Sequence, residues 1–401
     1  MTRAWIGLLI VVMLGAGWPA SADVVTDANA KAAEIASRNV PTPIGVRTMA
    51  IVQVSVFDAV NAIAGRYPPL RAPLAPAPGA SVEAAVAAAT RTVLSKVLPA
   101  HQAAIDADYH AALKAVPDGR AKTDGIGVGE QAAAAVLASC ADDGATAPNV
   151  YKPHTTPGLY VPTMFPAVPH WGKRKTWVLT RADQFRPGPP PSLTSDVWKR
   201  DLAEIKAFGG KQSAQRTAEQ TAIAKFWEAT NPNVYWPVAR AVAAAPGREV
   251  ADNARLLALA AMAMDDALVA VFDAKYTYNF WRPVTAIRNT EGDLHDPGWM
   301  PFIDTPMHPE YPCAHCIVSS ALGAVLEAEL AGGPTPTLRS TSPTSGTERT
   351  WKSVRVFTEE VALARIYDGV HYRNSTEVAR AMGAQIGALA ATRIPRVRAV
   401  R

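Results

Sequence analysis

The chain has 401 residues, 49% of them hydrophobic, with a formal charge of +5 at pH 7. It is long enough for two domain-sized cores or one large one, and its 3 cysteines are too few for a disulfide scaffold. The excess positive charge is not gathered into a patch of the kind that binds nucleic acid.

Taken in order, the chain opens with Arg3, an apolar run from Ile6 to Trp18, and Ala20-Ser21-Ala22 before Asp23. That reads as a secretory leader over 1–22 ending at a small-residue cleavage site, the run being shorter than the ~20 residues a bilayer span needs. An exported protein, periplasmic or secreted, is expected beyond it; a retained anchor is the alternative. Ala-rich stretches with helical spacing follow around Asp27–Arg38, Val46–Ala64, Val82–Ala104, Gly125–Ala141, Asp196–Phe208 and Ala218–Ala229. More lie at Val234–Ala244, Ala251–Ala274, Ala314–Ala331, Ser353–Tyr367 and Ser375–Thr392. Proline-rich breaks at Tyr67–Gly79, Phe185–Leu193 and Gly333–Thr344 predict loops. Strand patterns are scarce, so the fold class is all-α.

Two bundles are expected, an N-terminal scaffold over 23–195 and a second over 196–401. A weak repeat supports this: aligning Arg47 with Arg255 also pairs Ala50 with Ala258 and Asp58 with Asp266. Leu256–Val271 is apolar except for Asp265 and Asp266, which argues for a bundle core rather than a lipid span, and no stable membrane insertion is expected. The basic tail Arg393–Arg401 reads as a frayed end.

The chemistry gathers in three stretches: Lys275 to Arg282-Pro283, Pro312-Cys313-Ala314-His315, and Arg365 to His371. Lys275, Arg282 and Arg365 offer fixed positive charge, Arg365 as a planar fork that Lys replaces poorly. The two histidines offer a covalent or ligating nitrogen and a proton carrier. Lys275 and Arg282 reach one pocket only if a helix ends between them. The helix after Cys313 would aim free backbone N–H groups at an anion, and Gly369 permits a sharp entry to His371. His308, Asp266 and Asp273 are at most supporting residues, and Trp171, Trp177, Trp281 and Trp299 are core residues by default that could instead wall an apolar pocket.

These stretches resemble the phosphatidic-acid phosphatase type 2 / vanadium-dependent haloperoxidase superfamily, whose pattern is Lys-x6-Arg-Pro, then Pro-Ser-Gly-His, then Ser-Arg-x5-His-x3-Asp. The likeness covers roughly Asn253 to Met382, and "HPEYP" and "GVHYRNS" are similar to the soluble bacterial haloperoxidase-like branch. Cys313 and Ala314 stand for Ser and Gly, Ala364 for the leading Ser and Ser375 for the trailing Asp. The resemblance implies two packed helical bundles and a site in which Lys275, Arg282, Arg365, Cys313 and the Ala314 amide hold vanadate. His371 would be the single protein ligand to vanadium and His315 the acid/base. It implies small-molecule substrates, peroxide and halide, with oligomeric state open. In the alternative, no cofactor is needed: His371 attacks a phosphate ester and His315 protonates the leaving oxygen.

Cys313 is a weaker donor than Ser, by about 1 kcal/mol, and a thiol beside an oxidant is at risk, which favours hydrolysis. A Cys313–Cys316 disulfide would leave the amides to hold the anion. The departure at Ser375 leaves open what orients His371, with Asp368 and Glu377 as candidates. Cys313-Ala-His-Cys316 also admits a thiol-exchange protein. A zinc site with His308 and His315 lacks a completing pair. Haem attachment fails at Ile317 and a Cys-based phosphatase loop at Leu322. An oxyanion binder without turnover is the remaining reading.

Overall fold

A computed structural model describes residues 23–396 apart from 72 and 163. The expected leader and the last residues of the basic tail lie outside the described residues. Helix α1 (Val24–Ser37) starts at Asp23, whose carboxylate accepts the Thr26 N–H at 2.8 Å. α2 (Thr42–Ala64), α3 (Val82–Val97), α4 (Gln102–Lys114) and α5 (Arg120–Ser139) follow, with α2, α3 and α5 packed together. One helix expected over Val82–Ala104 is broken at Leu98-Pro99, because proline has no N–H to continue the ladder.

After a long irregular stretch come α6 (Asp196–Gly209), α7 (Ala218–Phe226), α8 (Pro232–Ala243) and α9 (Val250–Tyr278). α10 (Pro283–Asn289), α11 (Ala314–Leu330), α12 (Val354–Tyr367) and α13 (Arg373–Ala391) complete the helices. A hairpin interrupts them, β1 (Leu338–Thr341) pairing antiparallel with β2 (Glu348–Trp351). So the loop expected over Gly333–Thr344 contains a strand; Ser340 inside it is held by the Val234 carbonyl at 2.7 Å.

α9 is the central element, packed on α2 from one side and on α11 and α13 from the other. Its apolar face is not a stripe but nearly the whole cylinder, as expected of a helix buried in a bundle. Among the described residues, α2 is the one helix long and apolar enough to cross a membrane, a candidate the sequence reading passed over; it is mostly buried inside the protein. The aspartates paired by the repeat do the same work. Asp58 accepts the Leu70 and Arg71 amides at 2.9 and 3.2 Å, and Asp266 accepts those of Trp177, Val178 and Leu179 at 2.7 to 2.9 Å.

The irregular stretch is riveted to α9 by buried charge. Arg174 bonds Asp265 at 2.9 and 3.2 Å and Asp143 at 2.8 Å, and Arg186 clamps Asp273 at 2.7 and 2.8 Å. Asp265, Asp266 and Asp273 are therefore structural, and Asp273 pairs with Arg186 rather than with Arg282. Trp171 and Trp177 belong to the main core, and Trp281 and Trp299 to a second apolar cluster. This scaffold fixes the C-terminal end of α9, where the charged motifs meet.

Candidate active site

Lys275 lies in the last turn of α9, which runs on to Tyr278 rather than closing at Lys275. It stops because Asn279 adopts the left-handed conformation, φ 49°. The chain turns, and Arg282 caps α10 with Pro283 in its first position. Both cations reach back to one loop. Lys275 Nζ donates to the carbonyls of Pro309 and Glu310, each at 2.8 Å. Arg282 donates to the carbonyls of His308 (2.9 Å) and Val370 (2.8 Å), and its Nη atoms lie 3.0 Å from His308 Nδ1 and 3.3 Å from His371 Nε2. His308 thus contacts the cationic cluster directly. Two cations sharing one strand of loop explain why Glu310 is drawn inward.

Arg365, near the end of α12, donates through Nη1 to the Trp227 carbonyl (2.9 Å) and to Asp368 Oδ2 (2.6 Å). Its Nε and Nη2 are buried without a partner. The Arg365 carbonyl in turn receives the His371 N–H at 3.2 Å, so one residue holds both a cationic fork and the turn carrying His371. Gly369 supplies that turn at φ 79°, and a Cβ there would stand 2.2 Å from the Gly209 carbonyl oxygen. Only glycine fits this approach.

The imidazole of His371 is oriented by a residue the sequence reading missed. Its Nδ1 lies 2.8 Å from Glu310 Oε1, which also accepts the Tyr372 N–H at 3.1 Å. A carboxylate can only accept here, so Nδ1 carries the proton and Nε2 presents a lone pair. Neither expected partner does this: Asp368 is committed to Arg365, and Glu377 lines a separate surface cavity with Arg355 and Arg380. Ser375 lies beside Glu310 and favours its charged form. The carboxylate comes from another segment, and the small serine leaves room for it.

α11 begins at Ala314 as expected, with Cys313 as its cap. Cys313 and Cys316 form a disulfide. This corrects the role expected of the Cys313 side chain, because a bonded sulfur has no S–H to donate to an anion. Its Sγ instead accepts the Cys316 N–H at 3.3 Å. The first two amides of the helix, Ala314 and His315, have no intrahelical acceptor. One ring nitrogen of His315 is set against the Trp227 carbonyl, and Nε2 has no partner. The disulfide removes the thiolates that a zinc site needs, and among the described residues no group of 3 or more His, Cys, Asp or Glu could hold a metal ion.

Burial and mutual charge set the protonation states. Lys275, Arg365, Glu310 and Asp368 are each 0% exposed, and Arg282 and His371 1%. Burial, with Arg282 beside it, holds Lys275 well below the usual amine range. Burial also brings Arg282 down to about 10. Burial and then the cations push His371 and His315 well below their ordinary value, so both are neutral. His308 keeps some exposed surface, yet burial and Lys275 lower it too. Burial raises the Glu310 carboxyl to about 7, with Lys275 and Arg282 pulling the other way. An excess of buried cations over carboxylates is costly unless an anion joins them.

The second helical-bundle domain of VCPO matches residues 255–399. Vanadium chloroperoxidase of Curvularia inaequalis is 28% identical over 219 residues, 45% of this chain. The match spans 36% of that protein's length. The crystal structure of the first bacterial vanadium-dependent iodoperoxidase superposes with a TM-score of 0.82 at 25% identity, covering 94% of this chain and 98% of that one. The chain resembles the vanadium haloperoxidases in fold over most of its length and in sequence over its C-terminal part. A holo-type bacterial vanadium-dependent chloroperoxidase shares the fold alone, with a TM-score of 0.71 at 17% identity over 90% of this chain and 95% of that one.

Vanadium haloperoxidase relatives imply vanadate, and the residues present fit it. Arg365 Nε and Nη2 are orphaned donors, Lys275 Nζ has a third proton beyond its two carbonyl bonds, and the lone pair of His371 Nε2 opens on the same cluster. A tetrahedral oxyanion satisfies all of them at once.

Proposed function

We propose that this chain is an exported vanadate-dependent haloperoxidase, acting on peroxide and halide in the periplasm or outside the cell. The observation that carries the reading is the pairing of Arg365's unsatisfied buried nitrogens with a neutral His371 whose proton Glu310 holds on Nδ1. When bound, vanadate supplies a Lewis acid that activates peroxide toward halide without a change of metal redox state. The protein's part is electrostatic and positional. Lys275, Arg282 and Arg365 neutralise the oxyanion, the Ala314 and His315 amides donate to it, and His371 Nε2 ligates vanadium. His315 Nε2 takes a proton from incoming peroxide and later returns it.

The same cup suits a phosphate monoester, with His371 attacking phosphorus. The argument that favoured hydrolysis was a thiol beside an oxidant, and with both sulfurs bonded it lapses. The purified protein should oxidise iodide or bromide with peroxide only when vanadate is added, and lose this in His371→Ala. No halide oxidation at any vanadate concentration, together with phosphomonoester hydrolysis lost in His371→Ala, would replace this reading with the phosphatase.

A further inference from the structure

The proposed chemistry makes no use of the Cys313–Cys316 bond, yet its ring encloses Ala314 and His315, the two residues that bring amides and an imidazole to the anion. Both cysteines are 0% exposed. The Cys313 N–H donates to the Ser375 carbonyl at 3.3 Å, tying the ring to the first turn of α13, just past His371. The start of α11 is therefore held covalently from within and by hydrogen bond from the His371 side.

We propose that this disulfide is a redox latch on the anion cradle, an inference that rests on the anion-site reading above. Closed, it fixes Ala314 and His315 in register and leaves no protonated or charged sulfur in the site. Open, it frees both residues and places the Cys313 thiol at the cap of α11, where the helix start favours the thiolate. That negative sulfur competes with the oxyanion for the free amides at the start of the helix. Peroxide closes the latch. The Cys313 sulfur attacks the O–O bond, becomes a sulfenic acid and releases water. The Cys316 sulfur then displaces that oxygen as a second water. Two thiols give up two protons and two electrons, and one peroxide becomes two waters. The oxidant the enzyme consumes thus also arms it, and the closed bond has no thiol left to be damaged.

The test is calorimetric titration of the full chain with inorganic phosphate. In denaturant, untreated protein should show one reactive thiol, Cys140, the free cysteine. Cys316→Ala should bind phosphate about tenfold or more weakly than the oxidised wild type, on the scale of lost charge-assisted hydrogen bonds. Cys313→Ser/Cys316→Ala, which puts a neutral hydroxyl at the cap, should recover to within about threefold. Wild type reduced with a phosphine should behave like Cys316→Ala and regain its affinity with one equivalent of peroxide, while Cys316→Ala does not. If Cys316→Ala does not fold, the reduced wild type carries the comparison. Three thiols in untreated protein, or a folded Cys316→Ala that binds as tightly as wild type, would overturn the latch. So would a double variant as weak as Cys316→Ala, which would leave the bond a purely structural role. Wild type that binds no phosphate would overturn the anion-site reading itself, and the latch with it.

Discussion

Replacing Glu310 by Gln keeps the shape of the side chain and removes its charge. In the wild type Oε1 accepts from His371 Nδ1 at 2.8 Å and from the Tyr372 N–H at 3.1 Å. The amide oxygen of Gln can keep one of these bonds, but its NH2 can also turn toward Nδ1 and drive the proton to Nε2. That tautomer has no lone pair for vanadium, and its Nε2–H would face Arg282 Nη1, 3.3 Å away. A buried hydrogen bond to a charged group is worth about 1.5–3 kcal/mol, a factor of roughly 10 to 150. Partners of metal-ligating histidines cost about 10–100-fold when removed. Vanadate affinity, read by equilibrium dialysis, and the halide oxidation rate should therefore both fall by about 10–100-fold. The melting temperature above pH 7 should hold or rise, since burial already pushes this carboxyl up to about 7 and its ionised form is the costly one. A folded Glu310→Gln protein with wild-type affinity and rate would refute the argument that this carboxylate sets the His371 tautomer.

Arg365→Lys keeps a charge for Asp368 but lacks the two unpartnered nitrogens, so phosphate affinity should drop by about tenfold or more; unchanged binding would mean the fork does not face the anion. Gly369→Ala should lose at least about 2 kcal/mol in chemical denaturation, from a left-handed conformation costing about 1–2 kcal/mol and a Cβ 2.2 Å from the Gly209 carbonyl; wild-type stability would show that the approach can relax. Without a bound anion, the site's buried groups contribute to thermal stability in opposite directions as pH changes. Glu310 and Asp368 are both raised to about 7, so the stability they contribute is complete below their unfolded values and is lost as pH rises through about 7. The lowered histidines and Lys275 act oppositely, contributing above their unfolded values of roughly 6.5 and roughly 10.4 and losing that as pH falls. With more of the site's groups lowered than raised, melting curves should show higher stability at mildly alkaline than at mildly acid pH, and the reverse order would contradict this.

The helices were legible because burial imposes a period on the sequence, and the cations because their spacing straddles a helix end. Asn279 and Pro283 supply that end by local backbone preference alone. Glu310 was not legible. It is 61 residues from His371 in sequence, and a glutamate in "HPEYP" looks like any surface carboxylate until Lys275 and Arg282 are seen pulling its loop inward. The available clue was the Ser375 departure, which removes a carboxylate and so requires another from elsewhere. Local text pointed to Asp368, but Arg365 had a prior claim on it. Arg174, Asp143 and Asp265, which anchor the irregular stretch, were equally silent, since their pairing spans segments with no pattern in common.

Vanadate binding to the wild type and to His371→Ala, followed by dialysis at fixed pH, probes most directly whether separate segments build one oxyanion cup around that imidazole. One vanadate per wild-type chain, displaced by phosphate and lost by at least about tenfold in the folded variant, is the predicted result. Equal, phosphate-insensitive uptake by both proteins would contradict it.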